Sequence, residues 1–159
     1  MRPKPFLAQP LDNPSFIRDG NSGLIWYRCE MRTLYIDTDR SQVVYHSNYL
    51  KYFEFARSSL MREAKYPYKQ IEEDGFVYPI IKTELNYYSP LFYDDLMYIH
   101  IRPGKIERVR LQFDYLITKA ENGDISCTGF TRHCAVNDKG IPVEIDPQTR
   151  CLWREFPDS

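Results

Sequence analysis

The chain has almost no net charge: 21 Lys and Arg stand against 22 Asp and Glu, for −1 at pH 7. A balance this even offers no global field for nucleic acid or for an anionic membrane. Long apolar runs are missing too, and nothing approaches the roughly 18 residues that span a bilayer. The opening text, MRPKPFLAQPLDNPSF, lacks the apolar core of a secretory signal, so a cytoplasmic location is the expectation. Cysteine is scarce. Cys29, Cys127, Cys134 and Cys151 form no CxxC pair, and no metal-type spacing joins them to the three histidines. Neither a disulfide nor a zinc site is expected. No internal repeat is visible.

What is present fits one domain. The 159 residues leave room for one real core but not for two. The apolar share of 43% and charged share of 27% are ordinary for a globular chain. Aromatics reach 15%, with 13 Tyr, which suits large half-buried surfaces such as sheet faces or subunit contacts. Residues 1–23 hold four of the 11 prolines among Asn, Asp, Ser and Gly, a composition that predicts an extended N-terminal arm. The domain proper is expected over residues 24–145, with a C-terminal tail over 146–159.

From Leu24 to Ile36 the text LIWYRCEMRTLYI reads as a strand, broken by DTDRSQ. The period then changes. From Ser47, a candidate N-cap, Tyr49, Phe53, Ala56, Leu60 and Ala64 recur at helical spacing on one face. The Pro67 region ends this helix, and Lys69–Asp74 adds a short turn before Gly75. Four strand-like runs follow. Ile81, Thr83, Leu85 and Tyr87 alternate with polar residues, as do Met97, Ile99 and Ile101, then Val109, Leu111, Phe113, Tyr115 and Ile117. In DISCTGFTRHCAV the alternation blurs, and Cys127 and Cys134 read there as buried thiols. The connectors SPLFYD, PGKIE and AENGD are compatible with turns between antiparallel neighbours, whereas parallel strands need crossovers of about a dozen residues or more. The expected class is α+β: a five-stranded antiparallel sheet wrapped around one long helix, with a face or edge left for a partner subunit. Phe55, pointing away from the apolar stripe, is a candidate contact.

The segment YIDTDRSQVVYHSNYLKYFEFAR concentrates ionisable groups where a strand ends and a helix begins. Asp37 suits a strand terminator, because Asp bonds its own backbone in turns. Asp39 lies in the loop leading to a helix N-terminus, which presents unpaired N–H groups and partial positive charge. A carboxylate beside free amides fits acyl chemistry: the one attacks a carbonyl or activates water, the others stabilise the oxyanion. An apolar strand followed by DxD also resembles the haloacid dehalogenase signature. That fold, however, needs a parallel sheet with crossover helices, and the run after Gly75 gives them no place.

Taken whole, the segment resembles the hotdog-fold acyl-CoA thioesterases, in the branch of 4-hydroxybenzoyl-CoA thioesterase and the YbgC-like proteins. NYYSPLFYDDL further on is similar to a turn of the same family, and the likeness runs from Leu24 to about Val143. The resemblance implies a hotdog fold and hydrolysis of an acyl-CoA to free acid and CoA. It makes Asp39 the catalytic carboxylate, as nucleophile or general base. The oxyanion donor would be a backbone N–H around His46, whose side chain orients substrate or assists proton transfer. Gln42, Val44, Tyr45, Tyr49 and Glu54 are the expected substrate-binding residues. Glu54 also stands three residues before Arg57, in position for a helical ion pair. In some hotdog thioesterases a helix glutamate is catalytic where the strand-end Asp is missing, but here Asp39 is present.

One departure is clear. Family members commonly carry Gly before VVYH, where this chain has Arg40, Ser41 and Gln42, and Gly permits backbone angles that Gln disfavours. Phosphates of CoA favour Arg and Lys; Lys105, Arg108, Arg110 and Arg132, with His133, are the candidates. No metal or bound cofactor is called for, since CoA enters with the substrate. The resemblance further implies a homodimer or homotetramer with interface active sites, Asp39 and His46 facing the Ile81–Tyr88 strand of a second chain. Two alternatives stay open: an enoyl-thioester hydratase or dehydratase of the same fold, and a non-catalytic acyl-CoA-binding protein. The acyl group, whether aryl, short or long, is not legible.

Overall fold

The strand alternation and the helical stripe meet across one core, in a computed structural model that describes residues 2–157. The strands are β1 (Ala8–Pro10), β2 (Phe16–Asp19), β3 (Ile25–Arg32), β4 (Ile80–Tyr87), β5 (Leu96–Ile106), β6 (Arg110–Lys119) and β7 (Ile125–Cys134). They form one sheet in the order β1-β2-β3-β5-β6-β7-β4, with antiparallel pairing throughout. Helix α1 (Asn48–Glu63) lies on its inner face, followed by α2 (Tyr68–Glu73) and, near the C-terminus, α3 (Pro147–Glu155). This is the hotdog arrangement, with seven strands where five were expected.

Every second residue of the central strands points at α1. Met97, Ile99, Ile101, Leu111, Phe113, Tyr115, Ile117 and Cys127 form one cluster with Tyr49, Tyr52, Phe53, Ala56, Leu60 and Met61 of the helix. The stripe is thus broader than the predicted one, taking in Tyr52 and Met61, while Ala64 at its end is exposed. Phe53 stacks on Tyr115 at 4.1 Å between ring centroids. Gly129 makes that approach possible: a Cβ there would collide with the Glu84 carbonyl oxygen and stand 3.1 Å from the Phe53 ring. Ser47 flanks the helix but makes no capping bond with its side chain. Its backbone is already helical, at φ −74 and ψ −19, whereas a side-chain cap needs an extended residue.

The expected turn between the first two runs after Gly75 is not a hairpin. β4 pairs with β7 at one edge of the sheet, and β5 lies beside β3. The reason is direction. β3 and β4 run the same way, joined by the α1 crossover, so residues 88–95 must carry the chain back across the sheet to place β5 under the helix. β4 is left paired on one side only, with Ile80, Ile81 and Tyr87 46% or more exposed.

Both termini are more ordered than their composition implied. The N-terminal segment contains the β1–β2 hairpin, with Pro10 on the outermost strand, where a missing N–H is tolerated. Its apolar residues cover a patch on the outer face of the sheet: Ile17, Trp26, Leu116 and Ile125 form a second small cluster, joined by Phe6 and Leu24. At the other end Asp146 caps α3 by accepting the Thr149 N–H at 2.9 Å, with Pro147 at the first helical position. Trp153 of α3 then packs on Phe113, and its indole N–H donates to the Gly104 carbonyl.

His100 is enclosed by the N-terminal segment, stacked with Phe6 at 4.3 Å and bonded through Nδ1 to the Leu116 carbonyl. Burial pulls its pKa down to about 3, and that of His133 down to about 4. Both rings are therefore neutral in the fold but take protons when the chain unfolds. Stability from this source is complete above the unfolded value near 6.5 and is lost as pH falls toward 3. In urea titrations between neutral pH and pH 4, unfolding free energy should drop with falling pH. His100→Gln should flatten the slope by close to one proton, and an unchanged slope would refute this origin.

Candidate active site

The segment between β3 and α1 turns twice before the helix begins. A single 3-10 turn, Tyr35–Asp37, ends the strand direction. The Asp39 N–H then bonds the Val43 carbonyl at 3.0 Å, the Gln42 N–H bonds the Asp39 carbonyl at 2.9 Å, and the Val44 N–H bonds Leu91 at 2.9 Å. Val43 also bridges to Phe92, which ties the loop to the β4–β5 connection.

The two aspartates differ sharply. Asp37 is 2% exposed. Its carboxylate pairs with Lys51 and accepts the Tyr52 hydroxyl at 2.8 Å, while its carbonyl accepts the Tyr45 N–H and the Asn48 side-chain amide. Burial, with the Asp37 carboxylate as a further cause, pushes the Tyr52 phenol far above its usual range. Asp37 thus fastens the strand end to the helix start. Asp39 is exposed; one of its oxygens accepts the Ser41 N–H at 2.8 Å in an Asx turn, and among the described residues no cation is paired with it.

His46 is exposed beside Tyr45, with ring centroids 4.2 Å apart, and its carbonyl accepts the Tyr87 hydroxyl of β4 at 2.9 Å. Among the described residues, the His46 and Ser47 N–H groups have no acceptor. Gln42 and Tyr45 share this exposed end of the sheet with Asp39 and His46. Val44 and Tyr49, expected on the pocket wall, are buried in the protomer, Tyr49 with its hydroxyl 3.2 Å from Ser126 Oγ. Buried Cys127, its thiol pushed up to about 12, and Cys29, pushed to about 11, supply no thiolate nucleophile.

Glu54 does not pair with Arg57. Arg57 turns inward instead and donates to the Tyr115 hydroxyl at 3.0 Å, while Glu54 stays exposed. Tyr115 lies 2.7 Å from Thr131 Oγ1, which lies 2.8 Å from His133 Nε2; His133 Nδ1 lies 2.9 Å from the Tyr78 carbonyl. The carbonyl only accepts, so Nδ1 carries the proton and Nε2 receives the Thr131 hydroxyl. Tyr115 accordingly donates to Thr131, and the row is satisfied from end to end. Helical spacing hid it, because its members come from α1, β6 and β7.

The basic residues lie elsewhere. Lys105, Arg110 and Arg132 surround a shallow depression at the far end of the sheet, with Lys105 3.2 Å from Glu107 and Arg132 bonded to Gln112. Arg108 pairs with Glu144 at 2.9 Å. Lys105 stands nine residues along β5 from Leu96, beside the Asp39 end, which is roughly 30 Å of strand. One protomer does not bring these cations to Asp39. Among the described residues no cluster of His, Cys, Asp or Glu could hold a metal ion, and no helix is long and apolar enough to cross a membrane.

A strained residue sits at the departure from the family pattern. Gln42 has φ of +65, the left-handed region that disfavours any side chain with a Cβ. Relief of strain of about 1–2 kcal/mol, less the extra freedom glycine gives the unfolded chain, leaves a net gain of roughly 0.5 kcal/mol for Gln42→Gly. Urea denaturation should register it. Gln42→Ala, which keeps the Cβ, should give no such gain, and a destabilised Gln42→Gly protein would contradict the account.

Comparison with known proteins found relatives in sequence and in fold. The family model described as the thioesterase-like superfamily matches residues 17–150. A relative from Aquifex aeolicus (strain VF5) is 32% identical over 117 residues, 72% of this chain and 90% of its own. The acyl-CoA thioester hydrolase YbgC of Escherichia coli O157:H7 is 29% identical over 96 residues, 60% of this chain and 72% of its own. Among solved structures, a hypothetical protein from Aquifex aeolicus superposes with a TM-score of 0.76 at 28% identity, covering 80% of this chain and 98% of that one.

Proposed function

The chain belongs to the thioesterase-like superfamily, and from that premise we propose that it hydrolyses acyl-CoA thioesters to free acid and CoA with Asp39 as the catalytic carboxylate. The observation that carries the reading is the pairing, on one loop, of an exposed carboxylate with the His46 and Ser47 N–H groups, the first without a paired cation and the others without an acceptor among the described residues. Asp39 either takes a proton from an attacking water or attacks the thioester carbonyl directly, in which case a water then hydrolyses the mixed anhydride on Asp39 to release the acid. The oxyanion that forms is held by the His46 N–H at the start of α1, where the helix adds partial positive charge. Collapse breaks the carbon–sulfur bond, and the CoA thiolate leaves and takes up a proton. CoA is part of the substrate, and no further cofactor has a role. Asp37, occupied by Lys51 and Tyr52, holds the loop in place.

The site is completed by a second copy of the chain. β4 is an eight-residue edge strand carrying exposed Ile80, Ile81 and Tyr87, and such an edge calls for a partner. Joined antiparallel to its own copy, β4 brings the Tyr87 end of one protomer, where His46 is anchored, against the Ile80 end of the other. The partner's basic cluster around Lys105, Arg110 and Arg132 then lies on the same side as Asp39, in position to receive CoA phosphates.

Asp39→Asn isolates the chemistry, because the amide oxygen of Asn still accepts the Ser41 N–H and preserves the turn. Thiol release should fall roughly a hundredfold to a thousandfold with circular dichroism and Tm unchanged, and near-normal turnover would end the assignment. Sedimentation should give a dimer, and Ile81→Lys, placing a charge on the shared edge, should yield inactive monomer. A monomeric wild type with full activity would exclude the shared site.

A further inference from the structure

A cavity of about 200 Å³ lies between the second half of α1, α2 and the far ends of β6 and β7, and the chemistry at Asp39 leaves it unused. Met61, Leu111 and Phe113 give it an apolar wall, and Arg57 stands at its side. The Arg57 side chain is half-buried, and among the described residues no carboxylate pairs with it; its one bond is to the neutral Tyr115 hydroxyl. His133, also on the wall, is neutral with both ring nitrogens occupied, so it neither donates into the cavity nor cancels the charge. The Tyr68 hydroxyl accepts the Tyr78 N–H, which leaves its own hydrogen to donate. The cavity therefore combines an apolar wall with a guanidinium that no carboxylate among the described residues pairs with, the exposed Glu54 standing at its border.

The cavity adjoins a groove at the Asp37 anchor, and the proposed dimer sets its Tyr78 side against the partner's reaction centre. Glu54 and Ser58 border both the cavity and this groove, which reaches Asp37 and Lys51. In the edge-paired dimer, Tyr78 precedes β4 at the end that meets the partner's Tyr87 and His46. We propose that this cavity is an acyl subsite whose specificity residue is Arg57, and that it takes an acyl group ending in a carboxylate. The inference rests on the thioesterase reading. An alkyl end leaves the half-buried cation unpaired, which is unfavourable; a hydroxyl fills a hydrogen bond but brings no charge; a carboxylate supplies both, with bidentate geometry. Glu54 stays at the solvent-exposed rim, where its charge is screened.

The test uses glutaryl-CoA, pentanoyl-CoA and the matching ω-hydroxy thioester. Asp39→Asn protein is titrated with each by calorimetry, and the wild type is assayed on each by thiol release. Glutaryl-CoA should bind about tenfold or more tighter than pentanoyl-CoA, with the same order in wild-type kcat/KM. Arg57→Met should remove the preference and Arg57→Lys keep part of it, in proteins whose Tm is first compared with the parent. Equal binding of the three, a hydroxy thioester bound as tightly as glutaryl-CoA, or a preference that survives in folded Arg57→Met protein would each overturn the subsite. A binding preference without thiol release would uphold the subsite while ending the hydrolase reading. Thiol release without preference would do the reverse.

Discussion

The buried carboxylate of Asp37 is the fixed point from which the rest of the site is built. It takes the Tyr52 hydroxyl and the Lys51 ammonium from α1, and the carbonyl of the same residue takes Asn48 and the Tyr45 N–H. A strand end and a helix start are thereby held together by four contacts to one residue. A buried carboxylate is tolerable only when paired and hydrogen-bonded, so the backbone here has little freedom. The loop it encloses, residues 38–46, inherits that rigidity, and Asp39 and the His46 N–H are presented at a defined place. Of two aspartates separated by a single threonine, one is buried among partners and the other is exposed.

The packing beneath the helix follows a second constraint. Phe53 lies flat on Tyr115 only because Gly129 removes a side chain from β7. Close contact brings the Tyr115 hydroxyl under α1, where it needs partners, and Thr131, His133 and Arg57 supply them. A satisfied polar row inside an apolar layer rigidifies it, since any missing member would leave buried groups unpaired. The same row turns Arg57 inward and prevents the ion pair with Glu54 that helical spacing alone allowed. Local spacing makes a pair possible; the competing acceptor decides whether it forms.

Much of the fold was legible. Alternation gave the four later strands, the apolar repeat gave α1, and short connectors gave antiparallel pairing. Strand order was not legible, because a short link between two strands does not say that they pair, and β4 and β5 are separated by β7 and β6. The β1–β2 hairpin was hidden by prolines and turn residues, although Phe6, Phe16 and Ile17 are the apolar groups that bind it down. The cap of α3 was readable in Asp146-Pro147-Gln148-Thr149 once that text is taken as a helix start. At the site, the loop of Asp39, Gln42, Tyr45 and His46 was legible as one local string. The far position of Lys105, Arg108, Arg110 and Arg132 was not, because charge composition carries no information about which end of a strand faces which loop.

The sequence by itself determined the central helix, the later strands, the wrapped α+β class and the family, because those depend on residues near one another along the chain. Only the tertiary structure decided that Asp37 is buried and Asp39 is not, that Gln42 bears a left-handed backbone, that β4 is an open edge, and that Arg57 turns inward to Tyr115 beside a cavity instead of pairing with Glu54. Each of these depends on groups from distant segments meeting in a low-dielectric interior or at an unpaired edge. Desolvation and the supply of partners, not spacing, set the outcome there.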